Sequence, residues 1–265
     1  MRLAWATDTH FDSAHSYAVA GFFAELRLEH ADALLISGDI ANAYWLRDTL
    51  VNIDADFDGP TYFVLGNHDA YGKSIAIARS IANETAQSSK TLYWLDGNDP
   101  ISLTPTVGLV GVGGWADGRA GDFFAAGRIL LNDYVAIAEL KNKDNNHLYK
   151  KLQALGRENT KALRQKLTRL PPQWDTVYVL THVPPWQEAA WHQGKPSDDV
   201  WVPHFSCITM GEMLDQWANE HPEVHTIVLC GHTHGAGYIE RRSNLVCWTG
   251  EAEYGSPRVA RWIDI

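Results

Sequence analysis

Residues 61–69 read TYFVLGNHD, an apolar run that stops at Gly66 and passes at once to an amide, an imidazole and a carboxylate. The run is short, aromatic and β-branched, and reads as a buried strand. A turn after it can use Gly, Asn or Asp, but histidine contributes nothing to turn formation. The same pattern recurs along the chain. RLAWAT (2–7) is followed by Asp8 and His10, and ALLISGD (33–39) ends on Asp39. TVYVLTH (176–182) ends on His182, and TIVLCGHTHG (226–235) carries His232 and His234. In the first 70 residues such strands alternate with helical stretches (14–30 and 42–53), which argues for parallel βαβ units and an α/β fold. In open α/β sheets, ligands bind beyond the carboxyl ends of the strands. Every one of these polar residues sits at such an end.

The rest of the chain adds a helix near 73–86 and strands near 92–95, 101–104 and 107–112. A polar glycine-rich loop follows at 113–122, and 124–168 reads as mostly helical. Strands are expected near 237–241, 245–249 and 258–264. Residues 183–206 form a long loop rich in Pro and Trp, of the kind that is functional or mobile in a compact domain. No repeat, low-complexity tract or linker divides the sequence, so residues 1–265 read as one domain.

Composition excludes several classes of function. At 45% hydrophobic and 20% charged, the 265 residues can bury one sizeable core. A formal net charge of -10 argues against a cationic groove for nucleic acid, although bound divalent cations can reverse the local sign at a site. Cys207, Cys230 and Cys247 are odd in number and lack CxxC spacing. They form neither a disulfide framework nor a thiolate zinc site, and a reducing, cytoplasmic location is expected. The sequence MRLAWATDTH enters a strand at once, leaving no room for a signal peptide, and no apolar run approaches the ~18 residues of a membrane span.

The strand-end residues share one chemistry. Asp8, His10, Asp39, Asn67, His182, His232 and His234 are nitrogen and oxygen donors without a thiolate. That set suits Mn, Fe, Zn or Co. Seven ligands are too many for one catalytic ion that must also hold water, but two ions can share them. A two-metal site needs an anionic bridge, and Asp39 is the natural one.

In order along the chain these residues form DTH (8–10), GD (38–39), GNHD (66–69), a lone His182 and GHTH (231–234). The sequence thereby resembles the calcineurin-like metallophosphoesterases, whose blocks are D-x-H, G-D, G-N-H-[DE], His and G-H-x-H. The resemblance implies a four-layer α/β/β/α sandwich of two mixed sheets with flanking helices. It implies that Asp8, His10, Asp39 and His234 hold one metal, and that Asp39, Asn67, His182 and His232 hold the second. It makes His68 the general acid facing the leaving group, with Asp69 orienting this turn or His68. Many members carry G-D-x-x-D, where the last Asp can pair with the catalytic His. Here the position is Asn42, which can accept a hydrogen bond but cannot stabilise an imidazolium as a carboxylate would. Leu65 precedes GNHD and no Arg follows Asn42, so the Ser/Thr protein phosphatase subgroup is not expected.

Taken singly, each block has a plain structural reading. Asp8 could cap a helix, GD could be a turn, and HTH could be two surface histidines. All five would have to be accidental together. His15, His30, His147, His221 and His225 keep the surface or cap reading, while His192 and His204 lie in the long loop. Arg119 and Arg128 could clamp a phosphate or form surface salt bridges. Trp115, Trp186, Trp191 and Trp201 could stack on a substrate or pack under the loop. The expected activity is hydrolysis of a small-molecule phosphomonoester or phosphodiester, with nucleotides among the candidates, by a hydroxide shared between two ions. No nucleic acid or membrane partner is expected. The alternative is a non-catalytic metal-binding scaffold or interaction module on the same fold.

Overall fold

The computed structural model describes residues 1–124, 129, 131–141 and 143–265. Its strands are β1 (Arg2–Ala6), β2 (Ala33–Ser37), β3 (Thr61–Val64), β4 (Leu92–Trp94), β5 (Ile101–Ser102), β6 (Val107–Val112), β7 (Thr176–Thr181), β8 (Trp191–His192), β9 (Lys195–Pro196), β10 (His225–Cys230), β11 (Gly237–Arg242), β12 (Leu245–Thr249) and β13 (Arg261–Asp264). The helices are α1 (Ser16–Leu28), α2 (Leu46–Asp56), α3 (Ile75–Ser88), α4 (Asp133–Ala136), α5 (Asn145–Leu167) and α6 (Ile208–Glu220). The first sheet has the order β13-β1-β2-β3-β4, and the second β11-β12-β10-β7-β6-β5. Within each sheet the central strands run parallel, while β13, β11 and β5 close the edges antiparallel.

Period-two alternation explains the layering. In β1, Leu3 and Trp5 join a central cluster with Leu35 of β2, Val64 of β3, Tyr178 and Leu180 of β7 and Leu229 of β10. This is the core between the sheets. The alternate residues Ala4 and Ala6 face a second cluster with Phe22 and Leu26 of α1, Leu50 of α2 and Ala78 of α3. In the other sheet, Val177 and Val179 of β7 and Val228 of β10 face Leu163 of α5 and Leu214 of α6. The central strands thus have two apolar faces, and the result is the four-layer α/β/β/α arrangement. Because the parallel strands of both sheets end at one rim, the polar residues that follow β1, β2, β3, β7 and β10 converge there.

Three local expectations change. Among the described residues of the span 124–168, expected to be mostly helical, helix is found in α4 and α5. α5 starts only at Asn145, where the Asp144 side chain accepts the His147 backbone N–H as an N-cap. The long loop is not irregular throughout, since it contains the β8–β9 hairpin and two single turns at 187–189 and 202–204. Residues 208–220 form α6, which the sequence reading does not place. Its apolar positions Met210, Met213, Leu214 and Trp217 follow helical spacing and bury against the second sheet. Among the described residues no helix is long and apolar enough to cross a membrane.

Candidate metal centre

The loops beyond the strands are tied to one another before any ligand is considered. The Asp8 N–H donates to Gly38 O and the His10 N–H to Asp39 O, joining the ends of β1 and β2. The Gly231 N–H donates to His182 O, joining β10 to β7. Asp69 binds the next turn together. Its carboxylate, fully buried, accepts the backbone N–H groups of Gly66 (2.7 Å), Asp39 (3.1 Å), Ile40 (2.9 Å) and Ala41 (3.0 Å). Gly66 itself has no positive φ. Its requirement is room, because a Cβ there would collide with the Asp39 carboxylate and the His182 ring.

Seven non-glycine residues among those described adopt positive φ, and five of them are Asp8, His10, Asp39, His232 and His234. Asp and His tolerate the left-handed region better than most residues, but each such position costs roughly 1–3 kcal/mol. Strain of this kind concentrates at functional sites.

The side chains meet at short distances. His182 Nε2 lies 2.9 Å from Asn67 Oδ1, 3.2 Å from His232 Nδ1 and 3.4 Å from Asp39 Oδ1. Beside this group, His10 Nε2 lies 3.4 Å from His234 Nε2 and 3.9 Å from Asp39 Oδ2, and His234 Nε2 lies 3.3 Å from Asp8 Oδ1. Asp39 touches both groups. Three overlapping sets, Asp8–His10–His234, His10–Asp39–His68 and Asp8–Asp39–His182, each bring their donor atoms within 4.8 Å of one another.

Hydrogen bonds behind three of these side chains establish what faces inward. His182 Nδ1 is 2.9 Å from Ser37 O, so that nitrogen carries the proton and Nε2 presents a lone pair. His232 Nε2 is 3.3 Å from His204 O, so its Nδ1 presents a lone pair. The Asn67 amide donates through Nδ2 to Asp133 Oδ1 (2.8 Å), which turns its oxygen inward. Three acceptor atoms and a carboxylate therefore point at one another with no donor between them. A cation would reconcile that arrangement, and the nitrogen and oxygen donor set fits a transition-metal ion.

Burial and neighbouring charges shift the titrations. Burial lowers His10 to about 4 and His232 to about 3, so both imidazoles are neutral and free to ligate at pH 7. Burial, with His10 and His182 nearby, lowers His68 to about 2. Burial would raise Asp8, but His182, His234 and His10 outweigh it and hold the carboxyl below its usual range. Asp39 is raised by burial and then by the charges of Asp8 and Asp69. An anionic Asp39 is thus costly in the metal-free protein, and a cation beside it relieves that cost.

The remaining expected residues fall differently. His68 lies beside the cluster with its backbone N–H on Asp39 Oδ1 (2.8 Å), its ring stacked on Tyr71 (4.0 Å) and its Nε2 3.4 Å from the Tyr254 hydroxyl. Asn42 does not reach His68. Its amide donates to Asp12 Oδ2 (2.6 Å) and accepts from the Tyr44 N–H (3.0 Å), which makes it a turn residue. The Arg119 guanidinium is engaged by Glu212 at 2.6 and 2.7 Å, the surface-pair outcome rather than a phosphate clamp. Arg128 lies outside the described residues. Trp186 is buried in the core, donates to Asp215 Oδ2 (3.1 Å) and carries Arg241 over its ring, so it is packing and not a substrate wall. Trp191 packs against Gly235 and Gly237. Trp201 is 43% exposed and, with Phe205, His192, Lys195 and Tyr254, borders a cavity of about 570 Å³ that opens onto His232 and His234. Asp133, Tyr71 and Tyr254 escaped the sequence reading, since no strand end or spacing marks them.

A metal-competent cluster thus lies at the common rim of two mixed sheets covered by helices on both sides. The sequence profile of the calcineurin-like phosphoesterases matches residues 1–236, and the chain belongs to that family. The fold is similar to that of phosphopantetheinyl hydrolase from Mycobacterium tuberculosis, with a TM-score of 0.67 at 14% identity, covering 96% of this chain and 89% of that one. It is also similar to a dimetal phosphatase from Danio rerio, with a TM-score of 0.55 at 15% identity and coverage of 95% and 87%. No curated protein sequence matches the chain. Membership of the family implies a metal-dependent phosphoesterase that uses two divalent ions.

Proposed function

We propose that the chain is a dinuclear metal phosphohydrolase acting on a small-molecule phosphoester. Asp8, His10, His234 and Asp39 would hold one ion, and Asn67, His182, His232 and Asp39 the other. The observation that carries this reading is the convergence of lone pairs on His182 Nε2, which lies 2.9 Å from Asn67 Oδ1 and 3.2 Å from His232 Nδ1. When bound, the ions supply charge neutralisation at the phosphoryl oxygens and activation of the attacking water.

The protein's own chemical step lies at the leaving group. As the P–O bond breaks, His68 passes a ring proton to the departing oxygen, a contribution of about 10²–10⁴-fold for general acids. The ring is neutral in the free protein, and the negative charge of a bound phosphoester beside it raises its pKa. Tyr71 and Tyr254 hold the ring between them.

The leaving group would lie in the cavity beside His232 and His234. Its wall comes from the 183–206 loop, and Trp201 is the loop tryptophan suited to contact it. The test is a screen of phosphomonoesters and phosphodiesters against Mn, Fe, Co, Zn and Ni. Metal-dependent turnover of one ester class supports the reading. Two bound equivalents without turnover of any ester would favour the non-catalytic scaffold, and absence of metal binding would overturn both.

A further inference from the structure

We propose that Asp133 is a positioning residue that keeps the Asn67 amide from closing the metal position it helps to form. The inference rests on Asn67 being a ligand, as assigned above. Asp133 stands at the first position of α4, 66 residues downstream of Asn67, and its carboxylate is buried. Oδ1 accepts two hydrogen bonds, from Asn67 Nδ2 at 2.8 Å and from the Tyr71 hydroxyl at 2.5 Å.

An amide has one accepting end and one donating end of nearly equal size, so its neighbours decide which way it turns. On its inner side Asn67 meets His182 Nε2 at 2.9 Å, and the Nδ1–H of that ring is committed to Ser37 O. In a metal-free protein the favourable partner for that lone pair would be the Asn67 NH₂ group. The amide would then cap His182 and present no oxygen to an ion. An ionised carboxylate on the outer side opposes that turn, because it only accepts; burial raises the Asp133 carboxyl, and the hydrogen bonds from Tyr71 and Asn67 work against that rise. The flipped amide would set its oxygen against Asp133 Oδ1 at hydrogen-bond distance with no proton between them, a buried repulsion. Asp133 thus spends its charge to leave His182 Nε2 without a donor and ready for a cation. Tyr71 donates to the same oxygen while its ring carries His68 at 4.0 Å, so one carboxylate steadies both functional side chains of the GNHD turn. Asp69 fixes the backbone of that turn and Asp133 its side chains.

The experiment is a metal titration of the full-length protein by calorimetry with Mn or Zn, with stoichiometry by elemental analysis. Asp133→Ala should weaken one of two equivalents by about 10–100-fold, the usual cost of losing a partner behind a ligand, and leave the other unchanged. Asn67→Asp alone sets two carboxylates against each other and should be weak at the same position. The exchanged pair Asn67→Asp/Asp133→Asn restores a donor–acceptor match, and should bind more tightly than Asn67→Asp by a similar factor. Unchanged affinity in a folded Asp133→Ala protein would overturn the proposal. If that variant does not fold, an exchanged pair no tighter than Asn67→Asp overturns it. Failure of the underlying two-ion reading is seen separately, as fewer than two equivalents in the unaltered protein.

Discussion

The two halves of the donor cluster are held in place by different physics. His182, His232 and Asn67 are each anchored from behind by a hydrogen bond, to Ser37 O, His204 O and Asp133. For His10 and His234 no such bond to the far ring nitrogen is found among the described residues. They are boxed by rings instead, with Tyr254 at 4.3 Å from His10 and 5.0 Å from His234, and His68 at 4.7 Å from His10. A hydrogen bond selects a tautomer as well as an orientation, whereas stacking selects only an orientation. Under the proposed assignment, the anchored half binds its ion more tightly and the stacked half exchanges it more readily.

Asp39 belongs to both halves, so removing its charge should erase the comparison. Asp39→Asn is expected to lower metal content at both positions and turnover by about 10³-fold, the upper range for a single charge-stabilising group. Two full equivalents in this variant, measured by elemental analysis, would rule out the bridge. Next in size is His68→Ala, which should retain both ions. It should slow alkyl phosphates by about 10²–10⁴-fold and p-nitrophenyl phosphate much less, since that leaving group hardly needs a proton. Equal slowing of the two substrates would remove the general acid, and loss of metal would make His68 a ligand.

Tyr254→Ala and Tyr254→Phe separate the two means of support. Removing the ring should weaken only the His10–His234 position, by a smaller factor than Asp133→Ala weakens the other. Keeping the ring without its hydroxyl should leave metal affinity unchanged and lower kcat for alkyl phosphates, because only the His68 contact is lost. Weakening of both positions by Tyr254→Ala would mean the halves are not independently supported. The smallest effect is expected from Trp201→Ala, at the cavity rim. KM for a bulky leaving group should rise several-fold, with metal content and kcat for a small aryl phosphate unchanged. No change for any ester would return Trp201 to a packing role.

The strand ends were legible because the signal is local. Asp8, His10, Asp39, Asn67, His182, His232 and His234 each follow an apolar run within a few residues, and no turn needs so many imidazoles. The two-sheet sandwich was legible only through the resemblance, since buried strands show their apolar character without showing which strands pair. α6 was missed although its apolar spacing is helical, because the Cys207 position before it lacks a side-chain cap to mark the start. For Arg119, Asn42 and Trp186 the sequence left the alternatives open for a common reason. A guanidinium, an amide or an indole has many possible partners, and nearness in sequence to a motif does not select among them.

The chemistry of the donor set and its order along the chain were thus determined by the amino-acid sequence alone, because each donor is attached to a strand whose apolar run obliges it to be buried up to its end. The direction in which each donor points was decided only by the tertiary structure. Ser37 O, His204 O and the Asp133 carboxylate lie 145, 28 and 66 residues from the ligands they hold. A backbone carbonyl or a carboxylate at such separations carries no pattern in the sequence. It acquires its role when the two sheets close on one another and leave a single acceptor facing each ring or amide.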